Sequence, residues 1–65
     1  MYTVEYVSVY DAIEEIVRVV GTFQTYNQAL AYLRQNWRTY YRRKGGYEER
    51  LSIISPSGCP MSFTV

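Results

Sequence analysis

The side chains best equipped for chemistry in this sequence are arginines. Arg34, Arg38 and Arg42 recur at every fourth position, a spacing that lines up as one stripe if the segment is helical. Tyr41 falls beside that stripe, and Tyr32 and Arg43 fall on the solvent side of the same segment. Guanidinium groups set among rings can pair bidentately with the carboxylates of an acidic protein. They can equally contact phosphates while bases stack on the rings. The plainer alternative is a solvated helix face whose cations complement the carbonyl end of the helix and whose stems cover core rings. The candidate partner-binding residues are therefore Arg34, Arg38, Tyr41, Arg42, Arg43 and Tyr32.

Other reactive types point away from catalysis. There is no histidine, so no side chain titrates near neutrality at its ordinary pKa. Cys59 is the only cysteine, which leaves no disulfide within the chain and no zinc ligand set. It has neither a histidine nor a cationic neighbour to favour a thiolate, and before Pro60 it reads as a partly buried small residue. Asp11, Glu14 and Glu15 are three carboxylates without the organised loop that a calcium ion needs. They read as a solvated acidic connection. Gly21 and Gly45-Gly46 make no phosphate loop. The expectation is a protein that is not an enzyme, with no cofactor and no metal.

The elements that must carry these residues follow from periodicity. Residues 2–10 are dense in β-branched and aromatic types, which suit a strand. Tyr2, Val4, Tyr6 and Tyr10 share one face, and Thr3, Glu5, Val7 and Val9 share the other. With both faces partly apolar, the strand is either central or meets a partner. After the acidic connection over 11–15, residues 16–23 read as a second strand. A helix over 12–20 is the rival, with Asp11 and Glu14 at capping spacing and Gly21 as its stop. The β-branched Ile16, Val17, Val19 and Val20 favour strand.

Thr25 and Gln28 form a capping-box pattern, followed by Tyr26, Leu30, Leu33, Trp37 and Tyr40 or Tyr41 at helical spacing. Gly45-Gly46 supplies a stop, which predicts a helix over 26–44. Residues 47–54 and 60–65 then read as a hairpin around Ser55-Pro56-Ser57-Gly58, a type I turn sequence. The expected architecture is an α+β domain of ββαββ order: a four-stranded antiparallel sheet with the helix packed on one face. Leu30, Leu33 and Trp37 should pack against Leu51, Phe63 and Val65.

Residues Val17-Arg18-Val19-Val20-Gly21-Thr22-Phe23, leading into a helix with Ala29 and Leu33, resemble the opening half of a SPOR peptidoglycan-binding domain. The second βα unit of that family has no counterpart in this sequence, and no expectation of peptidoglycan binding is taken from it.

Composition narrows the function. A chain of 65 residues is one domain that buries only about 60% of its unfolded surface, so dense packing or a partner must supply stability. Eight tyrosines and an aromatic share of 17% exceed what so small a core holds, and exposed Tyr beside Arg is what protein interfaces enrich. The net charge is +1, but its distribution is uneven. Residues 1–24 hold Glu5, Asp11, Glu14 and Glu15 against Arg18, whereas residues 25–46 hold Arg34, Arg38, Arg42, Arg43 and Lys44 with no acid. No basic start leads into an apolar stretch, and no apolar run approaches the roughly 18 residues of a membrane span. With a lone cysteine suited to reducing conditions, the cytoplasm is the expected compartment.

These features predict a small non-enzymatic protein-binding domain that occupies a partner's surface. Phages and mobile elements use short aromatic-rich chains of this sort as accessory proteins that inhibit or modulate host factors. Its two-faced strands also predict a homodimer. The alternative is nucleic-acid binding through the basic, aromatic helix 26–44.

Overall fold

The computed structural model describes residues 1–61. Strands β1 (Tyr2–Tyr10) and β2 (Ile13–Phe23) form a hairpin, helix α1 (Tyr26–Tyr40) follows, and β3 (Arg42–Lys44), β4 (Tyr47–Ile54) and β5 (Pro60–Met61) complete the described residues. The sheet runs β2-β1-β4-β3, with β5 also paired to β4, and every pairing is antiparallel. The ββαββ order holds with one addition, β3, so among the described residues the sheet has five strands rather than four.

β1 is central, between β2 and β4, which accounts for its two apolar faces. The strand assigned to 16–23 is longer than expected and begins at Ile13. The acidic connection thus shrinks to Asp11 and Ala12, and Glu14 and Glu15 are strand residues. Asp11 and Ala12 have φ of 53° and 66°, the positive values that a two-residue hairpin turn of type I′ demands. Neither residue is glycine, so the turn lacks the usual Gly signature in sequence. The expected Ser55–Gly58 turn is present, with the Gly58 N–H donating to the Ser55 carbonyl at 2.9 Å.

Helix α1 starts as its sequence dictates. Thr25 Oγ1 accepts from the Gln28 N–H at 3.2 Å, and Gln28 Oε1 accepts from the Thr25 N–H at 3.3 Å. Its end differs from expectation: the helix stops at Tyr40, not at residue 44. Tyr41 turns to extended backbone (φ −78°, ψ 124°), and Arg42, Arg43 and Lys44 pair with Glu49, Glu48 and Tyr47. Opposite charges facing each other across a ladder favour that pairing. Gly45, at φ 59°, therefore serves a hairpin turn instead of a helix cap; the Gly-Gly pair suits either role.

The helix packs on β4, β1 and β2. Ala29 and Leu33 meet Val4, Leu51 and Ile53 in a core that excludes solvent almost completely, with Leu30, Trp37 and Met61 at its margin. Phe63 and Val65, expected in this core, lie outside the described residues. Val7 is also fully buried, but on the face away from the helix, as the alternation along β1 requires.

Candidate protein-binding surface

The six sequence-predicted site residues divide among three places. Arg34 and Arg38 are exposed on α1. The Arg38 guanidinium sits 5.4 Å from the centre of the Trp37 ring, within cation–π range. Tyr41 packs edge-on against the other side of this cluster, its ring 5.8 Å from Trp37 at 67°. As C-cap, Tyr41 donates its N–H to the Trp37 carbonyl at 2.8 Å. One helical turn and its cap therefore hold Arg38, Trp37 and Tyr41 as a unit, with Tyr41 still 40% exposed.

Arg42 and Arg43 belong to β3, not to the helix, so the three-arginine stripe does not exist as such. As neighbours on a strand they point to opposite faces. Arg42 Nε lies 3.7 Å from Glu49 Oε1, while Arg43 stands opposite Glu48. Tyr32 does not face solvent as expected. It is half-buried, its ring 5.4 Å from Phe23, because its helical position flanks the core on the β2 side. Burial, and then a hydrogen bond with Tyr40, raises its pKa above 10.0. Cys59, expected to be partly buried, is exposed; its N–H donates to Ser55 Oγ at 3.2 Å.

Beyond the C-terminal end of α1 the sheet continues without cover among the described residues, and a second cluster forms there. Tyr6 packs edge-on against Tyr40 at 5.1 Å, and Arg18 lies 5.9 Å from the Tyr40 ring centre. The Tyr47 hydroxyl donates to Glu49 Oε2 at 2.7 Å. Hydrogen bonds from Tyr47 and then Tyr6 hold the Glu49 pKa below 4.5, and the same bonds raise both tyrosines above 10.0. Next to this network, Ser8, Tyr10, Ile13, Glu15 and Tyr47 line an open cavity of about 210 Å³.

Sequence reasoning did not assemble this second cluster. Its face is readable in Tyr6, Ser8 and Tyr10, but the meeting of Arg18 with Tyr40, and of Tyr6 with Glu49, depends on strand register. On the opposite face Arg50 reaches Glu48 Oε2 at 2.6 Å and Glu14 Oε2 at 3.1 Å.

No family model, curated protein or solved structure matches this chain, so the resemblance to the SPOR domain gains no support from them. Among the described residues no helix is long and apolar enough to cross a membrane.

Proposed function

We propose that this chain is a small, non-enzymatic protein-binding domain that docks the C-terminal end of α1 against an acidic partner. The observation that carries the reading is the Arg38–Trp37–Tyr41 unit, held by helix and cap geometry. Trp, Tyr and Arg are the residues on which interface energy concentrates, and pre-ordered rings lose little freedom when a partner covers them. Arg34 lies one turn earlier on the exposed side, and neither it nor Arg38 takes part in an ion pair among the described residues. Their charge is left for a carboxylate outside the chain. The consequence for the partner is occupancy: a region of its surface is covered and its other contacts are inhibited or modulated.

The nucleic-acid alternative loses ground from the position of Arg42 and Arg43. Each faces a glutamate across the β3–β4 ladder, and a phosphate approaching there meets Glu48 and Glu49. The test compares the wild-type chain with a Tyr41→Ala/Arg34→Ala/Arg38→Ala variant in affinity capture from the native cytosol after nuclease treatment. A protein retained by wild type and lost by the variant supports the reading. Anisotropy titration with short oligonucleotides at near-physiological salt is the counter-test. Binding there at micromolar or tighter, weakened by the same substitutions, would replace a protein ligand with nucleic acid.

A further inference from the structure

Among the described residues, β2 has a neighbour on one side only. It runs for 11 residues, and one row of its backbone N–H and C=O groups is left without a sheet partner. Such an edge invites another strand, and edges are usually guarded by lysine, proline or short length. β2 has no lysine, no proline and is the longest strand in the sheet. Its side chains are also unusually bare: Ile13, Ile16, Val17 and Val19 are 65%, 62%, 52% and 54% exposed.

We infer that this edge pairs with β2 of a second copy, antiparallel, about a two-fold axis passing between Ile16 and Val17. Charge complementarity selects the arrangement. In an in-register parallel pairing each residue meets its own copy, so Glu15 faces Glu15 and Arg18 faces Arg18, which destabilises the ladder. About the stated axis, Glu15 of each copy faces Arg18 of the other, and the ion pair forms twice.

The β-bulge at Val17 makes this geometry available. Residues three apart on a regular strand point to opposite faces, so Glu15 and Arg18 could not meet across a two-fold. Here the pairing with β1 skips Val17: Ser8 faces Glu15, Val7 faces Ile16, and Tyr6 faces Arg18. Ser8 and Tyr6 share the helix-side face, which puts Glu15 and Arg18 on one face as well. The contact of Arg18 with Tyr40 and the place of Glu15 in the cavity wall agree. A bulge that commonly blunts an edge thus sets the faces for self-pairing. Arg18 of the second copy would also stand at the rim of the Glu15 cavity, which is then built by two chains.

This edge is separate from the Arg38–Trp37–Tyr41 surface, so the two readings fail independently. Sedimentation equilibrium from low to high micromolar concentration tests it on wild type, Glu15→Arg, Arg18→Glu and an equimolar mixture of the two variants. Wild type should reach the dimer mass and each variant alone should stay monomeric, facing like charge with like. The mixture should regain the dimer, because its basic strand meets an acidic one. Ile16→Lys, which leaves Arg18 on Tyr40, should abolish the dimer without touching helix packing. A wild type that stays monomeric throughout overturns the inference. So do single variants that dimerise as wild type does, or a mixture of natively folded variants, judged by the near-ultraviolet signal of Trp37, that stays monomeric.

Discussion

Val4 and Val7 stand on the same strand, both fully buried, and on opposite faces of the sheet. Val4 is covered by a helix: Ala29 and Leu33 close over it together with Leu51 and Ile53. Val7 has no helix above it. Across from it on β4 stands Arg50, whose guanidinium reaches over to Glu14 on β2 while also holding Glu48. Apolar surfaces interlock over the first valine, whereas a charged side chain that bridges the strands, with its apolar stem, stands beside the second. The first arrangement excludes water from a volume, while the second only shades a spot. A domain of this size can build the first kind on one face alone, which leaves the rest of its sheet to charges and tyrosines.

The largest effect should come from the helix-covered side. Leu33→Ala removes a fully buried side chain from the centre of the core and should cost about 2–5 kcal/mol, a large share of the stability of so small a domain. Urea or thermal unfolding would register it as a steep fall in the midpoint. A midpoint left in place would mean that the helix does not dominate stability.

Arg50 tests the other side. Exposed ion pairs alone are worth up to about 1 kcal/mol, and the shading of Val7 adds to that, so Arg50→Ala should cost about 1–2 kcal/mol. Arg50→Met keeps an apolar stem of similar length and should recover a good part of the loss. If the methionine variant is as unstable as the alanine one, the ion pairs and not the stem protect Val7.

A smaller effect of opposite sign is expected at the hairpin tip. Ala12 has φ 66°, a left-handed conformation that costs an L-residue roughly 1–2 kcal/mol. Ala12→Gly relieves that cost but gives the unfolded chain more freedom, for a net gain of about 0.5–1 kcal/mol in unfolding experiments. No gain would indicate that tertiary contacts near the tip compensate the strain.

The same contrast between interlocked and loosely covered regions explains what the sequence made legible. The capping box of Thr25 and Gln28, the two faces of β1 and the Leu33 face of α1 are local patterns whose partners lie within a few residues. They were readable. The end of α1 was not, because Gly45-Gly46 fits a helix stop and a hairpin turn equally well, and Glu48 and Glu49 decided between them from across the turn. The type I′ turn escaped notice because Asp11-Ala12 lacks glycine. Of the candidate site, Arg38 and Tyr41 were legible from helical spacing and from their place at its end. Arg42 and Arg43 were misplaced along with the helix end, and the position of Arg18 against Tyr40 depended on a bulge at Val17 that no local pattern marks.

The smallest effect concerns the uncovered end of the sheet, where hydrogen bonds stand in for packing. Glu49 accepts from Tyr47, with Tyr6 and Arg42 nearby, and its folded pKa lies below the ordinary 4.5. A carboxylate bound more favourably when ionised stabilises the fold above its unfolded pKa, and that contribution disappears as pH falls through the depressed folded value. Tyr6 and Tyr47 behave in the opposite sense. Their folded pKa values lie above 10.0, so their contribution is complete below that pH and is lost as pH rises through the raised values. Glu49→Gln removes the acidic limb and one cause of the alkaline one. Wild type should therefore exceed the variant in unfolding midpoint near neutrality, with the difference closing as pH drops below 4.5. Tyrosinate absorbance should also appear at lower pH in the variant. The network is open to water at Tyr47, so these differences should be modest beside that of Leu33→Ala. A pH-independent gap would assign the role of Glu49 to shape, and the uncovered end of the sheet would then be held as the covered end is, by packing.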